Sequence, residues 1–173
     1  MNDRDSFIEI DHDPFNESET AHPRARELMT EEVLWDCVDE EAPFGSDEGH
    51  DAYYEFRSWR EQNKEANLTA CLAWIMQNGN LQEYNETLCS DAIIVRDLES
   101  PDESFLADDY DMFTLDTTVI ATALGQLLDE GRIDADAKSY VRVAIKRQLH
   151  PKVVTSKHRK KILLAIQHVV NAA

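Results

Sequence analysis

Apolar residues recur at helical spacing along most of this chain, and no stretch offers the alternating polarity of a partner strand. The clearest stripe is Val119, Ile120, Ala123, Leu124, Leu127 and Leu128, all on one helical face, with Asp116 placed to cap the helix and Gly131 to close it. Asp134 opens the next helix. Its apolar stripe is Ala137, Val141, Ala144, Ile145 and Leu149, its opposite face carries Lys138, Arg142 and Lys146, and Pro151 stops it. Ser156 then caps a terminal helix with Ile162, Leu163, Ile166, Val169 and Val170 inside. Short turns join these three into a compact helical subdomain.

Upstream the pattern is less regular. Pro23 suits the first turn of a helix, where its missing N–H costs nothing, and Leu28, Val33, Leu34, Cys37 and Val38 give a stripe that predicts helix to about residue 40. A turn, APFGSDEGHD, follows, with Ser46 or Asp47 to cap a helix on which Tyr53, Phe56, Trp59 and Arg60 share a face. Asn67 caps a further, buried helix containing Leu68, Cys71, Leu72, Trp74 and Ile75, with Gly79 after its end. Over 80–113 the segment SDAIIVRDL suits a helix or a short buried strand, and helix is preferred; ESPDESFLADDYDMF reads as an acidic loop. Trp59 and Trp74 both belong to the expected core.

The expected fold is therefore mainly α: a single-domain bundle of about six to seven helices over residues 21–173, preceded by a flexible acidic arm over 1–20 that holds few apolar anchors. Hydrophobic residues make up 42% of the 173, enough for one core. The N-terminus carries acids where a signal peptide needs bases, no stretch approaches the ~18 to 20 apolar residues of a membrane span, and three cysteines without Cys-x-x-Cys spacing suit a reducing cytosol. The expected location is the cytoplasm.

Charge changes the picture, because it is sorted. Residues 1–131 hold 33 Asp and Glu against 7 Lys and Arg, whereas 132–173 hold 2 against 10, within a net charge of -18. Either the two parts attract each other or each addresses a different partner. Lys157, Arg159, Lys160 and Lys161 also crowd the first turns of a helix, where the macrodipole disfavours cations. They are expected to face an acidic segment, either the 36–51 loop or the stretch from Glu83 to Asp116, within the chain or across a dimer.

Residues 21–60 contain His22 and Pro23, then Trp35 and Asp36, then an acidic loop with Pro43, Phe44, Gly45, Asp47, Glu48 and Gly49 before a helix. In these features the segment, under a quarter of the chain, resembles the YfeS-like group of bacterial proteins. The resemblance implies a bacterial cytoplasmic origin and carries no activity. The tryptophan-glycine-arginine module of some relatives does not occur here, since Trp35, Trp59 and Trp74 are followed by Asp, Arg and Ile.

Candidate chemistry is confined to a few places. Asp36, Glu40, Asp47, Glu48, His50 and Asp51 surround a glycine-bearing loop. They read either as oxygen and imidazole ligands for a divalent cation or as a solvated acidic turn capping the next helix. The spacing matches neither H-E-x-x-H nor a calcium loop, so no metal or cofactor is expected. LADDYDMFTLD also reads as an ordinary acidic loop, lacking a calcium loop's glycine and closing glutamate. Nucleotide-phosphate cradles and a G-x-S-x-G elbow are absent, and Cys37, Cys71 and Cys89 fall on apolar stripes. Of the aromatics, Tyr54 is the one expected to face outward and join a binding surface. Lys138, Arg142, Lys146, Lys157, Lys160 and Lys161 form a basic patch, and with Arg147 the penultimate helix resembles the second helix of a helix-turn-helix. The preferred reading is an acidic cytosolic binding or regulatory protein, antitoxin-like or immunity-like, whose partner is another protein. The alternatives are a metal-dependent hydrolase using residues 36–51 and a nucleic-acid binder using the basic helices.

Overall fold

The structure is a computed structural model that describes residues 17–77, 79–106 and 110–173. The expected acidic arm lies outside the described residues up to residue 16; its last four, Glu17–Thr20, form a helical turn, α1. The remaining helices are α2 (Pro23–Leu28), α3 (Asp47–Gln62), α4 (Leu68–Ile75), α5 (Asp91–Glu99), α6 (Met112–Glu130), α7 (Lys138–Gln148) and α8 (Lys157–Ala172). Short 3-10 turns link several of them, and no strand occurs among the described residues.

α6 is the axis around which the others pack. Every residue from Leu115 to Leu128 is buried, so the six-residue stripe read from the sequence is only part of a helix covered on all sides. It contacts α2, α3, α4 and α7, while α8 packs on α7 and on the 3-10 turn Glu32–Trp35. One hydrophobic cluster runs from Ala21 to Val170, and each leucine it buries completely, such as Leu72, Leu124 and Leu163, contributes about 1.5–3 kcal/mol. Among the described residues no helix is long and apolar enough to cross a membrane.

Local signals set most boundaries. Ser46, Asn67 and Ser156 cap α3, α4 and α8 through Gly49 N, Thr69 N and Arg159 N. Gly131 closes α6 in the left-handed region at φ 72°, and a Cβ there would meet the His22 ring at 2.3 Å. Gly45 allows another close approach, since its missing Cβ would lie 1.8 Å from the Asp39 carbonyl oxygen. SDAIIVRDL is helical, as preferred, and is capped by Ser90.

Several expectations are corrected. The helix begun at Pro23 ends at Leu28 and does not run to residue 40; the Trp35 indole N–H donates to the Met29 carbonyl at 2.8 Å, folding the chain back into a 3-10 turn. Asp111, and not Asp116, caps α6, accepting from Thr114 N at 2.7 Å. Asp134 stands at the start of the 3-10 turn leading to α7, but its carboxylate serves other groups, Leu68 N at 2.8 Å and Arg132 at 3.0 Å. Trp59 is buried, whereas Trp74 is 46% exposed because α4 buries Leu68, Cys71, Leu72 and Ile75 and turns Trp74 outward.

Candidate functional site

The N-termini of α3, α6 and α8 and the C-termini of α5 and α7 meet at one end of the bundle around a cleft of about 720 Å³. This lies within the ~300–1,000 Å³ of ligand pockets. One wall is Leu98 and Pro101, a second is Met112 and Phe113, and the 153–155 segment forms a third. Leu98 and Phe113 are large apolar side chains exposed by 44% and 38%. Around them stand Glu40, Asp47, Glu48 and Asp111, none of which makes an ion pair among the described residues. Asp47 and Glu48 lie in the first turn of α3, where they complement its positive end.

Arg159 is the cation lining the cleft. It donates to the Glu41 carbonyl, and its guanidinium carbon sits 5.9 Å from the centre of the Phe113 ring, so it backs the aromatic wall. Burial draws this guanidinium below the usual arginine range, against the pull of Glu41, Asp116 and Asp39. Neighbouring contacts pin α8 to the 36–42 loop: Ser156 Oγ donates to Glu41 at 2.8 Å, and His158 Nε2 lies 2.6 Å from Asp39 Oδ2. Lys161 approaches Glu31 only to 3.9 Å. The start of α8 thus faces the 36–51 loop, one of the two acidic segments its charge called for. Lys157 and Lys160, however, point to solvent without an ion pair among the described residues.

Beneath the cleft lies a buried charged cluster that the sequence reading did not identify. Arg147 Nε donates to Asp116 at 3.0 Å, Nη2 to Asp97 at 3.3 Å and Nη1 to the Leu88 carbonyl at 3.0 Å. Gln148 donates to Asp116 at 2.8 Å, and the Tyr84 hydroxyl donates to the same carboxylate. Asp97 also takes Arg96, whose side chain is partly exposed. Burial pushes the Asp116 carboxyl up to about 6, although Arg147, Tyr84 and Gln148 pull the other way. Burial, then the adjacent Asp116 carboxylate, holds the Tyr84 phenol well above its ordinary value, so it remains a donor. A weak signal for the cluster exists. Arg147 follows Ala144 by three and Val143 by four, inside the apolar phase of α7, and Asp116 is the one charged residue between Met112 and Leu128.

The structure divides the residues singled out from the sequence. Glu40, Asp47 and Glu48 come together on the cleft. Asp36 does not join them, because its carboxylate accepts from Val38 N at 2.8 Å and Asp39 N at 2.9 Å to form a turn. His50 packs its ring on Tyr54, with centroids 4.8 Å apart, Asp51 is exposed, and none of the three lines the cleft. Among the described residues no group of three or more His, Cys, Asp or Glu side chains is set to hold a metal ion. Asp108 and Asp109 of the second acidic loop lie outside the described residues. The cysteines are free; burial pushes the Cys71 thiol up to about 12 and raises that of Cys89, which keeps both protonated at neutral pH.

The α7 members of the basic patch, Lys138, Arg142 and Lys146, are tied to the rest of the chain. Lys138 donates to the backbone oxygen of Ala173, Lys146 pairs with Glu86, and Arg142 donates to Asn171 at 3.1 Å. Arg147, grouped with these cations in the helix-turn-helix reading, is buried: its guanidinium is matched to two carboxylates and a carbonyl. Compared with protein-family models, curated proteins and solved structures, the chain matches none at a significant level.

Proposed function

We propose that the protein is an acidic binding module whose partner is another, basic, protein, in the manner of an antitoxin or immunity protein. The observation that supports this reading is where the cations go. The basic C-terminal segment directs Arg147, Arg159, His158 and Lys146 onto acidic or carbonyl groups of the same chain, while Glu40, Asp47, Glu48 and Asp111 make no ion pair among the described residues and stand around the cleft. With a net charge of -18, the field attracts a cationic surface and repels a phosphate backbone. The metal-hydrolase reading is not favoured by the geometry, because Asp36 is committed to a turn and His50 to Tyr54. The likeness of residues 21–60 to the YfeS-like group is consistent with a bacterial origin and adds no chemistry.

The test is fluorescence anisotropy with a labelled lysine- and arginine-rich peptide, an acidic peptide of equal length and a DNA duplex. Binding of the basic peptide alone is expected. It should weaken as salt rises toward ~1 M, be lost on joint Asp47→Lys and Glu48→Lys substitution, and survive the same reversal at Glu27 and Glu32. Equal loss from both pairs, or retention of DNA, would refute the reading.

A further inference from the structure

The cleft is more than a patch of charge. Leu98 and Phe113 stay 44% and 38% exposed on two different helices, α5 and α6, yet open into the same 720 Å³ space. Most apolar side chains among the described residues are shut into one core, and two large ones opening into the same cleft mark a surface for an occupant. Both are held in place. Arg159 backs the Phe113 ring, and Asp97, the residue before Leu98, is fixed by Arg147 and Arg96. Preformed walls of this kind lower the ordering cost of binding.

The geometry points to a specific occupant: a basic segment of a partner protein that inserts a bulky apolar side chain between Leu98 and Phe113 while its flanking lysines or arginines reach Glu40, Asp47, Glu48 and Asp111. This rests on the acidic-module reading above and narrows it. Charge complementarity selects the class of occupant. Four carboxylates on three elements, none in an ion pair among the described residues, surround an apolar centre, which suits cations placed on either side of an apolar residue along one chain. A second copy of this protein would bring another -18 against the same face, and a nucleic acid would bring phosphates.

The experiment compares two labelled peptides of identical charge, one with a leucine between lysine pairs and one with serine in its place. They are titrated into the wild type and into the Leu98→Ser and Phe113→Ala variants at one salt concentration. The leucine peptide should bind the wild type about tenfold more tightly or better, as one added apolar group in a hydrophobic pocket does. The advantage should shrink several-fold in either variant, while the serine peptide binds all three alike. Both side chains are partly exposed, and thermal melts verify that each variant is folded. Equal binding of the two peptides by the wild type overturns the apolar insertion and leaves the acidic-module reading standing. Failure of both peptides to bind removes both readings. Doubling of the mass in sedimentation, reversed by Phe113→Ala, would assign the cleft to a second copy and overturn the proposal.

Discussion

Arg147 Nε donates to Asp116 Oδ1 across 3.0 Å, from the last turn of α7 to the second turn of α6, and both side chains are closed off from solvent. The same guanidinium reaches Asp97 on α5 and the Leu88 carbonyl, so one residue ties three helices and a 3-10 turn together. α5 depends on it most, since its buried residues are Ile94 and Asp97. Replacing Arg147 by Met takes the buried cation from Asp116 and leaves Asp97 to Arg96 alone, and is expected to destabilise the fold by about 3–5 kcal/mol. Arg147→Lys should recover only part, because one ammonium cannot meet acceptors on α5, α6 and the Leu88 carbonyl in a fixed planar fork. Urea melts check both, and near-native midpoints for Arg147→Met would mean that the cluster is not a source of stability.

Asp116 gives the cluster a pH signature. Its native value lies near 6, above the ordinary 3.8, so between those values the folded state holds a proton that the unfolded state has released. Its contribution to stability is complete below about pH 3.8 and is lost as pH rises through about 6. Asp116→Asn does not titrate. The variant's stability deficit relative to wild type should therefore be larger at pH 4.5 than at pH 7, as read from denaturant midpoints at both pH values. A deficit that grows with pH would show that the carboxylate is held ionised below the ordinary 3.8.

The two cluster residues illustrate what the sequence conveyed and what it did not. Periodicity located every long helix, because 3.6-residue spacing is imposed by burial and burial is visible in residue type. Caps were legible where a side chain met the backbone two or three residues on, as at Ser46, Asn67 and Ser156. Helix α6 starts a turn earlier than expected because Asp111 and Asp116 are equally good caps by residue type. Only the pairing of Asp116 with Arg147, 31 residues away, assigns one to the cap and the other to the interior. The acidic loop was visible as a candidate, but its apolar centre was not. Leu98 ends the segment SDAIIVRDL and Phe113 ends the acidic loop ESPDESFLADDYDMF, and only three dimensions show them facing the same cleft.

Trp59 and Trp74 separate core from surface. Truncating Trp59, which is buried on α3, to Ala should cost about 3–5 kcal/mol. Trp74 is 46% exposed, and Trp74→Ala should stay within about 0.5 kcal/mol of wild type. Denaturant melts measure both costs, and acrylamide quenching should fall selectively when Trp74 is replaced. Equal destabilisation by the two substitutions would contradict the outward orientation of α4.

The junction between α8 and the acidic loop supplies the last prediction. His158 Nε2 stands 2.6 Å from Asp39 Oδ2. The hydrogen bond to Asp39, then its charge, raises the imidazole above the ordinary 6.5, and the same bond holds the Asp39 carboxyl below 3.8. The histidine contribution is complete below about pH 6.5 and is lost as pH rises through the raised value; the aspartate contribution is complete above about pH 3.8 and is lost as pH falls through the lowered one. Between those limits both partners are charged. Because the ring is half-exposed, the effect should be small and salt-sensitive. Melting curves of His158→Gln should show a larger deficit at pH 5.5 than at pH 8.5, and the difference should shrink in ~1 M salt, where the Debye length is about 3 Å. Lys160→Glu should change the melting temperature little at either pH, since Lys160 makes no ion pair among the described residues. If Lys160→Glu instead lowers it more than His158→Gln does at pH 5.5, the attachment of α8 rests on diffuse charge and not on the bond between His158 and Asp39.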